Sequence, residues 1–255
     1  MDDPQVAEVA ALLGAASRIL FITGAGISAD SGLPTYRGVG GLYNDTDTED
    51  GVPIEVALSG QMFARRPELT WRHIAQIERA CRGHLPNPGH EVIARVESLP
   101  DKHVCVLTQN VDGFHRAAGS QNVIDIHGDV HDLYCPACEW EAVVTDYAHL
   151  DVLPPRCPTC TAVIRPDVVL FGEMLPGAKI RRLESELRRG FDLVFTVGTS
   201  SLFPYIAQPV FLAAREGVAT VEINPGYTDV SGVVDHHIRA GAAASLTAIA
   251  GAASI

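Results

Sequence analysis

The chain has 255 residues, 47% of them hydrophobic and 20% charged, which predicts an ordered protein with a substantial buried core. Its formal net charge of -12 argues against a general nucleic-acid binder, because such proteins neutralise phosphates with clustered lysines and arginines. No apolar run approaches the roughly 18 residues that suggest a membrane span, and Met1-Asp2-Asp3 opposes a secretory signal. We therefore expect a cytoplasmic protein with no specific nucleic-acid partner and no membrane partner.

Apolar residues at helical spacing predict a first helix over 4–16, and the apolar segment Arg18–Thr23 behind it predicts a buried parallel strand. The strand runs into Gly24-Ala25-Gly26, where a glycine turn would let backbone N–H groups approach a pyrophosphate. A plain turn is the alternative, because the next glycine, Gly32, does not complete the G-x-G-x-x-G fingerprint. The glycine-rich, acidic stretch over 38–51 has no apolar period and predicts a mobile lid.

Short apolar runs alternate with helical segments along the rest of the chain. Further strands are predicted over 102–107, 122–126, 191–197, 220–223 and 236–238, and helices over 54–81, 88–98, 176–189 and 242–252. This alternation predicts an α/β fold with a doubly wound parallel sheet. Ligands of such sheets bind outside the carboxyl ends of the strands, so the residues that follow each strand are the candidates for a site.

Polar residues follow several of these strands. His127 ends the third strand, and an imidazole with an unperturbed pKa near ~6.5 suits a general base, although a satisfied polar residue is the alternative. Gln109, Asn110 and Asp112 follow the second strand, and they suit either a carboxamide and a ribose or an Asx turn that caps the next helix. A phosphate or ribose loop, or an ordinary N-cap, is predicted at Gly198, Thr199 and Ser200, with Asn224 as a further candidate.

Four of the six cysteines form two C-x-x-C pairs, Cys135 with Cys138 and Cys157 with Cys160. Their spacing predicts a tetrahedral four-thiolate zinc site rather than two disulfides, and four thiolates leave no open position for catalysis. The surrounding segment, 133–162, has few large apolar residues and looks inserted, since regular α/β patterning is expected to resume at Arg165.

Seven features in order resemble the sirtuin family of NAD-dependent protein deacylases: GAGISADSGLPTYRG, TQNVDGFH, IHG, the CPAC and CPTC pair, RPDVVLFGE, GTS and Ile223-Asn224. The resemblance covers about residues 16–245. With the strand pattern, it implies a Rossmann-like NAD-binding domain over 1–38, 87–132 and 163–255. A cofactor-binding loop and helical module would occupy 39–86, and a zinc-binding module 133–162. NAD would be consumed as a co-substrate, and one structural zinc ion would be bound per chain.

The family pattern also implies roles for individual residues in NAD binding. The pyrophosphate and nearby ribose would be lined by Gly24, Ala25, Gly26 and Ser28, with Tyr36 and Arg37 bordering the reacting ribose. The nicotinamide pocket would be formed by Ile27, Asn110 and Asp112, and Gln109 would contact the adjacent ribose. The adenosine half would be held by Gly198, Thr199, Ser200 and Asn224.

For catalysis, the resemblance implies that the carbonyl oxygen of an acyl-lysine attacks the ribose carbon that bears nicotinamide. His127 would then act as general base on a ribose hydroxyl, with Asn110 and Asp112 completing the catalytic set. The products would be nicotinamide, O-acyl-ADP-ribose and free lysine. The substrate would bind as an extended strand against Val168 and Val169, with the acyl-lysine tunnel walled by Phe171 and Gly172.

Three positions, Tyr36, Ile74 and Ile77, depart from patterns seen in the family. Tyr36 stands where phenylalanine is usual, with an undetermined effect on nicotinamide exchange. Ile74 and Ile77 stand where members that remove succinyl or malonyl groups carry a tyrosine and an arginine, so we expect neutral acyl substrates. A mono-ADP-ribosyltransferase or NAD glycohydrolase on the same fold remains the alternative, followed by a non-catalytic module that senses NAD.

Overall fold

The computed structural model describes residues 4–35, 48 and 51–255. Tyr36, Arg37 and nearly all of the predicted lid over 38–51 therefore lie outside the described residues. The strands are β1 Arg18–Thr23, β2 His103–Thr108, β3 Val123–Asp125, β4 Gly128–Tyr134, β5 Glu141–Val143, β6 Arg165–Val168, β7 Leu193–Val197, β8 Ala219–Ile223 and β9 His236–Ile238. The helices are α1 Pro4–Ala15, α2 Ala25–Ala29, α3 Ile54–Ala57, α4 Gly60–Arg65, α5 Pro67–Cys81, α6 Pro88–Glu97, α7 Phe114–Ala117, α8 Gly177–Arg189, α9 Pro204–Glu216 and α10 Ala242–Ala252.

Six strands form one sheet in the order β3-β2-β1-β7-β8-β9, and every pairing in it is parallel. This confirms the predicted doubly wound sheet. β1 lies inside the sheet between β2 and β7, its residues Ile19–Thr23 are buried, and Phe21 stacks on Phe195 of β7 at 4.7 Å between ring centroids. Strand order reverses between β1 and β7, so the crevice outside their carboxyl ends is the topological switch point at which such folds bind ligands.

Helices cover both faces of the parallel sheet. One apolar cluster joins the sheet to α1, α6 and α10, and it includes Leu13, Ile93 and Ile249. The other joins the opposite face to α8 and α9 through Leu183 and Ile206. Burial on both faces explains why the strands of this sheet are continuous apolar runs rather than alternating patterns.

A second, antiparallel sheet has the order β5-β4-β6, and the four cysteines lie in the connections between its strands. It begins at Gly128 and ends at Val168, beyond the predicted limits of 133–162 on both sides. β6 pairs with β4 of the small sheet, so the α/β pattern of the parallel sheet resumes at α8 and β7, shortly after the cysteine segment. Pro166, which has no N–H to donate, suits the edge position that β6 occupies there.

The small sheet shares one hydrophobic core with the helical module. The fully buried Trp71 of α5 donates its Nε1–H to the Ile164 carbonyl at 2.9 Å, and its ring packs against Tyr147. Cys135 and Cys157 belong to the same buried cluster. Apolar contacts with α3 and α5 thus stabilise the cysteine segment in addition to any bound metal. None of the described helices has the length and apolar character that a membrane span requires.

Candidate active site

The glycine turn after β1 is packed directly against the turn after β7. Gly24 N–H donates to the Val197 carbonyl at 3.1 Å, and Gly26 N–H donates to the Gly198 carbonyl at 2.8 Å. A Cβ on Gly26 would lie 2.6 Å from the Gly198 Cα, and Gly198 itself has a φ of +60°. We predicted that these glycines leave room for a ligand, but their first structural requirement is the close approach of two backbone turns.

A buried hydrogen-bond network lies beside this turn and contains three predicted site residues. Nδ2 of Asn110 donates to the Gly24 carbonyl and to Oγ of Ser28, each at 3.1 Å. The Ser28 hydroxyl in turn donates to Oδ2 of Asp112 at 2.7 Å. Both amide protons of Asn110 are committed by these bonds, so its remaining side-chain polar atom is the acceptor Oδ1.

Asp112 is a carboxyl group held in a largely apolar pocket. Its Oδ1 accepts the Phe114 N–H at 3.0 Å, while its Oδ2 accepts from Ser28. Burial raises the pKa of Asp112, against the lowering effect of these two donors. The cleft in front of it is lined by Ala25, Ser28, Leu33, Pro34, Ile77, Ala80, Cys81, Asn110 and Asp112. Buried Ile27 is positioned in the same turn, so the structure brings together the residues predicted for a nicotinamide pocket.

The residues predicted for the ribose and adenosine are linked in a second network across the strand ends. Nε2 of Gln109 donates to Oγ1 of Thr199 at 2.7 Å, and Oγ1 also accepts the Ser201 N–H at 3.1 Å. Nδ2 of Asn224 donates to the Thr199 carbonyl at 3.1 Å. The ends of β2, β7 and β8 are thereby joined around Thr199, which gives the Gly198–Ser200 loop a fixed position.

His127 lies in the turn between β3 and β4, and both of its ring nitrogens have partners. Nδ1 is 3.0 Å from the Gln109 carbonyl oxygen, and Nε2 is 2.7 Å from the hydroxyl of Tyr205. A carbonyl can only accept, so Nδ1 carries the proton and Nε2 presents the lone pair. Burial lowers the pKa of His127, and the nearby Lys179 lowers it further. The ring is therefore neutral at pH 7 and able to accept a proton at Nε2.

Sequence reasoning did not identify Tyr205 as part of the site. It occupies the first turn of α9, directly after the Gly198–Ser201 loop. A signal was available, because an aromatic residue at a helix start behind a strand-end loop faces the same edge as His127.

The predicted substrate segment crosses between the two modules. Val169 N–H donates to the His127 carbonyl at 2.9 Å, and Phe171 N–H donates to the Leu58 carbonyl at 2.9 Å. Glu173 braces the segment, since it accepts from the Leu170 N–H and pairs with Arg165 at 2.7 Å. Phe171 remains 38% exposed at the edge of the site. Gly172 has a φ of +80° and nothing within 4 Å of a Cβ position.

The four cysteines are arranged as a metal-binding cluster. Sγ of Cys135 is 3.4 Å from that of Cys160, Sγ of Cys138 is 3.6 Å from that of Cys157, and all four lie within 4.8 Å of one another. Zinc bonds of about 2.3 Å in a tetrahedron separate thiolates by roughly 3.8 Å, so the cluster fits zinc. The Ala137 and Thr159 N–H groups point at Sγ of Cys135 and Cys157, each at 3.4 Å. Four thiolates and these donors make a structural site.

The two residues predicted to shape acyl specificity, Ile74 and Ile77, both belong to the core that α5 shares with the small sheet. Ile77 also lines the cleft beside Asn110 and Asp112. Ile77 is thus the member of the pair that contributes to the cleft wall.

Known proteins resemble this chain along nearly its whole length. The family model described as the Sir2 family matches residues 24–203. The NAD-dependent protein deacylase 2 of Pseudomonas aeruginosa is 53% identical over 233 residues, covering 90% of this chain and 90% of that protein. A Sir2 homologue in complex with NAD superposes with a TM-score of 0.84 at 31% identity, covering 100% of this chain and 95% of that one. A complex of Sir2 with a p53 peptide and NAD+ gives a TM-score of 0.82 at 28% identity, covering 96% of each chain.

Proposed function

The chain belongs to the Sir2 family, and we propose that it is an NAD-dependent protein-lysine deacylase whose active site lies at the β1–β7 switch point. One observation carries the proposal. The network from Asn110 through Ser28 to Asp112 and the lone pair of His127 Nε2 occur at the same edge of the sheet. The relatives named as NAD-dependent protein deacylases support the same activity.

NAD is the co-substrate, and when bound it supplies an electrophilic ribose carbon whose bond to nicotinamide breaks. The buried carboxylate of Asp112 suits a carboxamide, because its oxygens accept while Ser28 and Phe114 hold it in place. The Gly24–Ser28 turn would hold the pyrophosphate. The adenosine half would lie against the loop that Gln109 and Asn224 fix through Thr199.

His127 acts after nicotinamide leaves, as general base on a ribose hydroxyl. The Gln109 carbonyl fixes the proton on Nδ1, so Nε2 is the nitrogen that accepts the hydroxyl proton. Its lowered pKa keeps this lone pair available at neutral pH. The deprotonated ribose oxygen would then attack the acyl carbon of the lysine whose carbonyl oxygen displaced nicotinamide. Addition of water and cleavage of the C–N bond would release the lysine amine and leave O-acyl-ADP-ribose.

We further propose that the protein substrate binds as an extended strand beside Val168 and Val169. The segment continues from β6, the edge strand of the small sheet, and the Val169 N–H bond to the His127 carbonyl holds it beside the base, which suits the addition of a strand. Phe171 and Gly172 would border the acyl-lysine tunnel. A solved complex of a Sir2 protein with a peptide and NAD+ supports a peptide substrate.

The acyl group is expected to be neutral, which can be tested on matched peptides. An acidic acyl chain needs a cationic partner, and Ile74 and Ile77 stand where family members that remove acidic acyl groups carry a tyrosine and an arginine. With NAD present, an acetyl-lysine peptide should be deacylated at least about tenfold faster than the succinyl-lysine peptide of the same sequence. Liquid chromatography of the peptides gives both rates, and reactions without NAD are the control. A faster succinyl reaction would contradict this preference.

A cytoplasmic location stays a prediction. It is supported by the four-thiolate site, because thiols remain reduced and available to metal in that compartment.

A further inference from the structure

The hydroxyl of Tyr205 contacts the nitrogen on which catalysis depends. It lies 2.7 Å from His127 Nε2, and the two rings are nearly perpendicular with centroids 5.9 Å apart. Nε2 has no proton to give, because the proton is on Nδ1 toward the Gln109 carbonyl. Tyr205 is therefore the donor and Nε2 the acceptor in this hydrogen bond.

Tyr205 is held in place by more than this bond. Its ring stacks on Phe203 with centroids 5.4 Å apart and planes 12° apart, and Phe203 in turn meets His127 edge-on at 6.0 Å. The residue belongs to the first turn of α9 and packs against the core beneath that helix. Burial raises the pKa of Tyr205 to about 12, so its hydroxyl stays a donor throughout the neutral range.

We propose that Tyr205 is a positioning residue that holds the ring of His127 in the substrate-free enzyme and widens the pH range in which Nε2 is unprotonated. The contribution of Tyr205 to catalysis rests on the proposed function. Nε2 has a single lone pair, so the tyrosine hydroxyl gives way when the ribose hydroxyl donates its proton there. Tyr205 thus acts through His127 and does not itself contact the substrates.

The sign of the expected pH effect follows from the groups around His127. A hydrogen bond donated to the neutral imidazole favours the neutral form and so lowers its pKa. Burial acts in the same direction, as does Lys179 of α8, which is itself paired with Asp125 and Asp167. The Gln109 carbonyl acts in the opposite direction. Removing the Tyr205 hydroxyl leaves these other groups in place, so the pKa of His127 should rise.

The test is Tyr205→Phe, which keeps the stacked ring and removes only the hydroxyl. Tyr227→Phe is the matched control, because Tyr227 is 75% exposed and is not part of the proposed machinery. In Tyr205→Phe, the acid limb of the kcat/KM profile should move to higher pH. At pH values on the acid side of that limb, kcat/KM should be about three- to tenfold lower than in wild type. At pH values above the limb, the rate should change less than about threefold. The KM for NAD and the melting temperature should stay as in wild type, which a purely structural defect would not allow.

A second measurement does not depend on activity. Titration of the ¹⁵N-labelled histidine ring in the substrate-free protein, assigned with His127→Gln, should show a higher pKa of His127 in Tyr205→Phe. An unchanged ring titration and pH profile would overturn the role of Tyr205, and so would a rate gain at every pH. If wild type lacks deacylase activity but the ring titration shifts as expected, the proposed function fails while the positioning role stands.

Discussion

Replacing His127 with alanine should reduce deacylation by about 10²–10⁴-fold, the usual contribution of a positioned general base. No other described side chain offers a lone pair at the same place, because Tyr205 donates there and Gln109 contributes its backbone carbonyl. NAD binding should persist, since the Asn110, Ser28 and Asp112 network does not include His127. Deacylation is measured on an acetyl-lysine peptide by chromatography, and NAD affinity by calorimetry.

His149→Ala is the matched control for this variant. His149 is more than half exposed and lies in the cysteine module, 3.6 Å from Asp146. Its removal should leave the rate within about twofold of wild type, as for most exposed substitutions. Undiminished turnover in His127→Ala would contradict the assignment of the base. Loss of NAD binding in that variant would indicate that the histidine has a role in the cofactor pocket instead.

Replacing Gly26 with alanine should destabilise the fold and weaken NAD binding together. The new Cβ would lie 2.6 Å from the Gly198 Cα and 2.8 Å from its carbonyl oxygen, so two backbone segments must separate. Overpacking of this kind costs about 1–3 kcal/mol, which lowers the melting temperature by roughly 2–12 °C in a chain of this size. Separation of the turns would also break the hydrogen bond from Gly26 N–H to the Gly198 carbonyl. Calorimetric melting and NAD titration measure the two effects.

Gly14→Ala separates this collision from the general effect of replacing a helical glycine. Gly14 lies in α1 with nothing within 4 Å of a Cβ position. Its replacement should leave stability unchanged or raise it by up to about 1 kcal/mol, through better helix propensity. Equal melting temperatures for the Gly26 and Gly14 variants would show that the contact between the two turns tolerates a Cβ at position 26, which would contradict the prediction.

The strands of the parallel sheet could be predicted from the sequence because each one coincides with a local apolar run. β1 and β9 have the predicted limits, and buried apolar runs mark the other strands to within two residues. β6 was not among the predicted strands, because Arg165-Pro166-Asp167-Val168 contains two charged residues and a proline and forms no continuous apolar run. Strand partners are set by contacts that are distant in sequence, and no local pattern encodes them.

The site residues that directly follow strands could be predicted from the sequence. A residue that reaches the site only through tertiary packing could not. Asn110, Asp112 and His127 lie together because the carboxyl ends of parallel strands meet at one edge. Tyr205 was missed because its contact with His127 joins residues 78 positions apart, and Phe203-Pro204-Tyr205 reads locally as a helix start. The roles given to Tyr36 and Arg37 stay predictions, since both lie outside the described residues.

The proposed reaction transfers the acyl group from lysine to the ribose of NAD, and the identity of its products is the most direct test. The enzyme, NAD and an acetyl-lysine peptide are incubated together, and the products are separated and weighed by mass spectrometry. We expect nicotinamide, deacylated peptide and O-acetyl-ADP-ribose to form in equal amounts, and each product to require both NAD and the acetylated peptide. Free ADP-ribose formed without peptide, or ADP-ribose attached to the peptide or the enzyme, would contradict it in favour of NAD hydrolysis or ADP-ribosyl transfer.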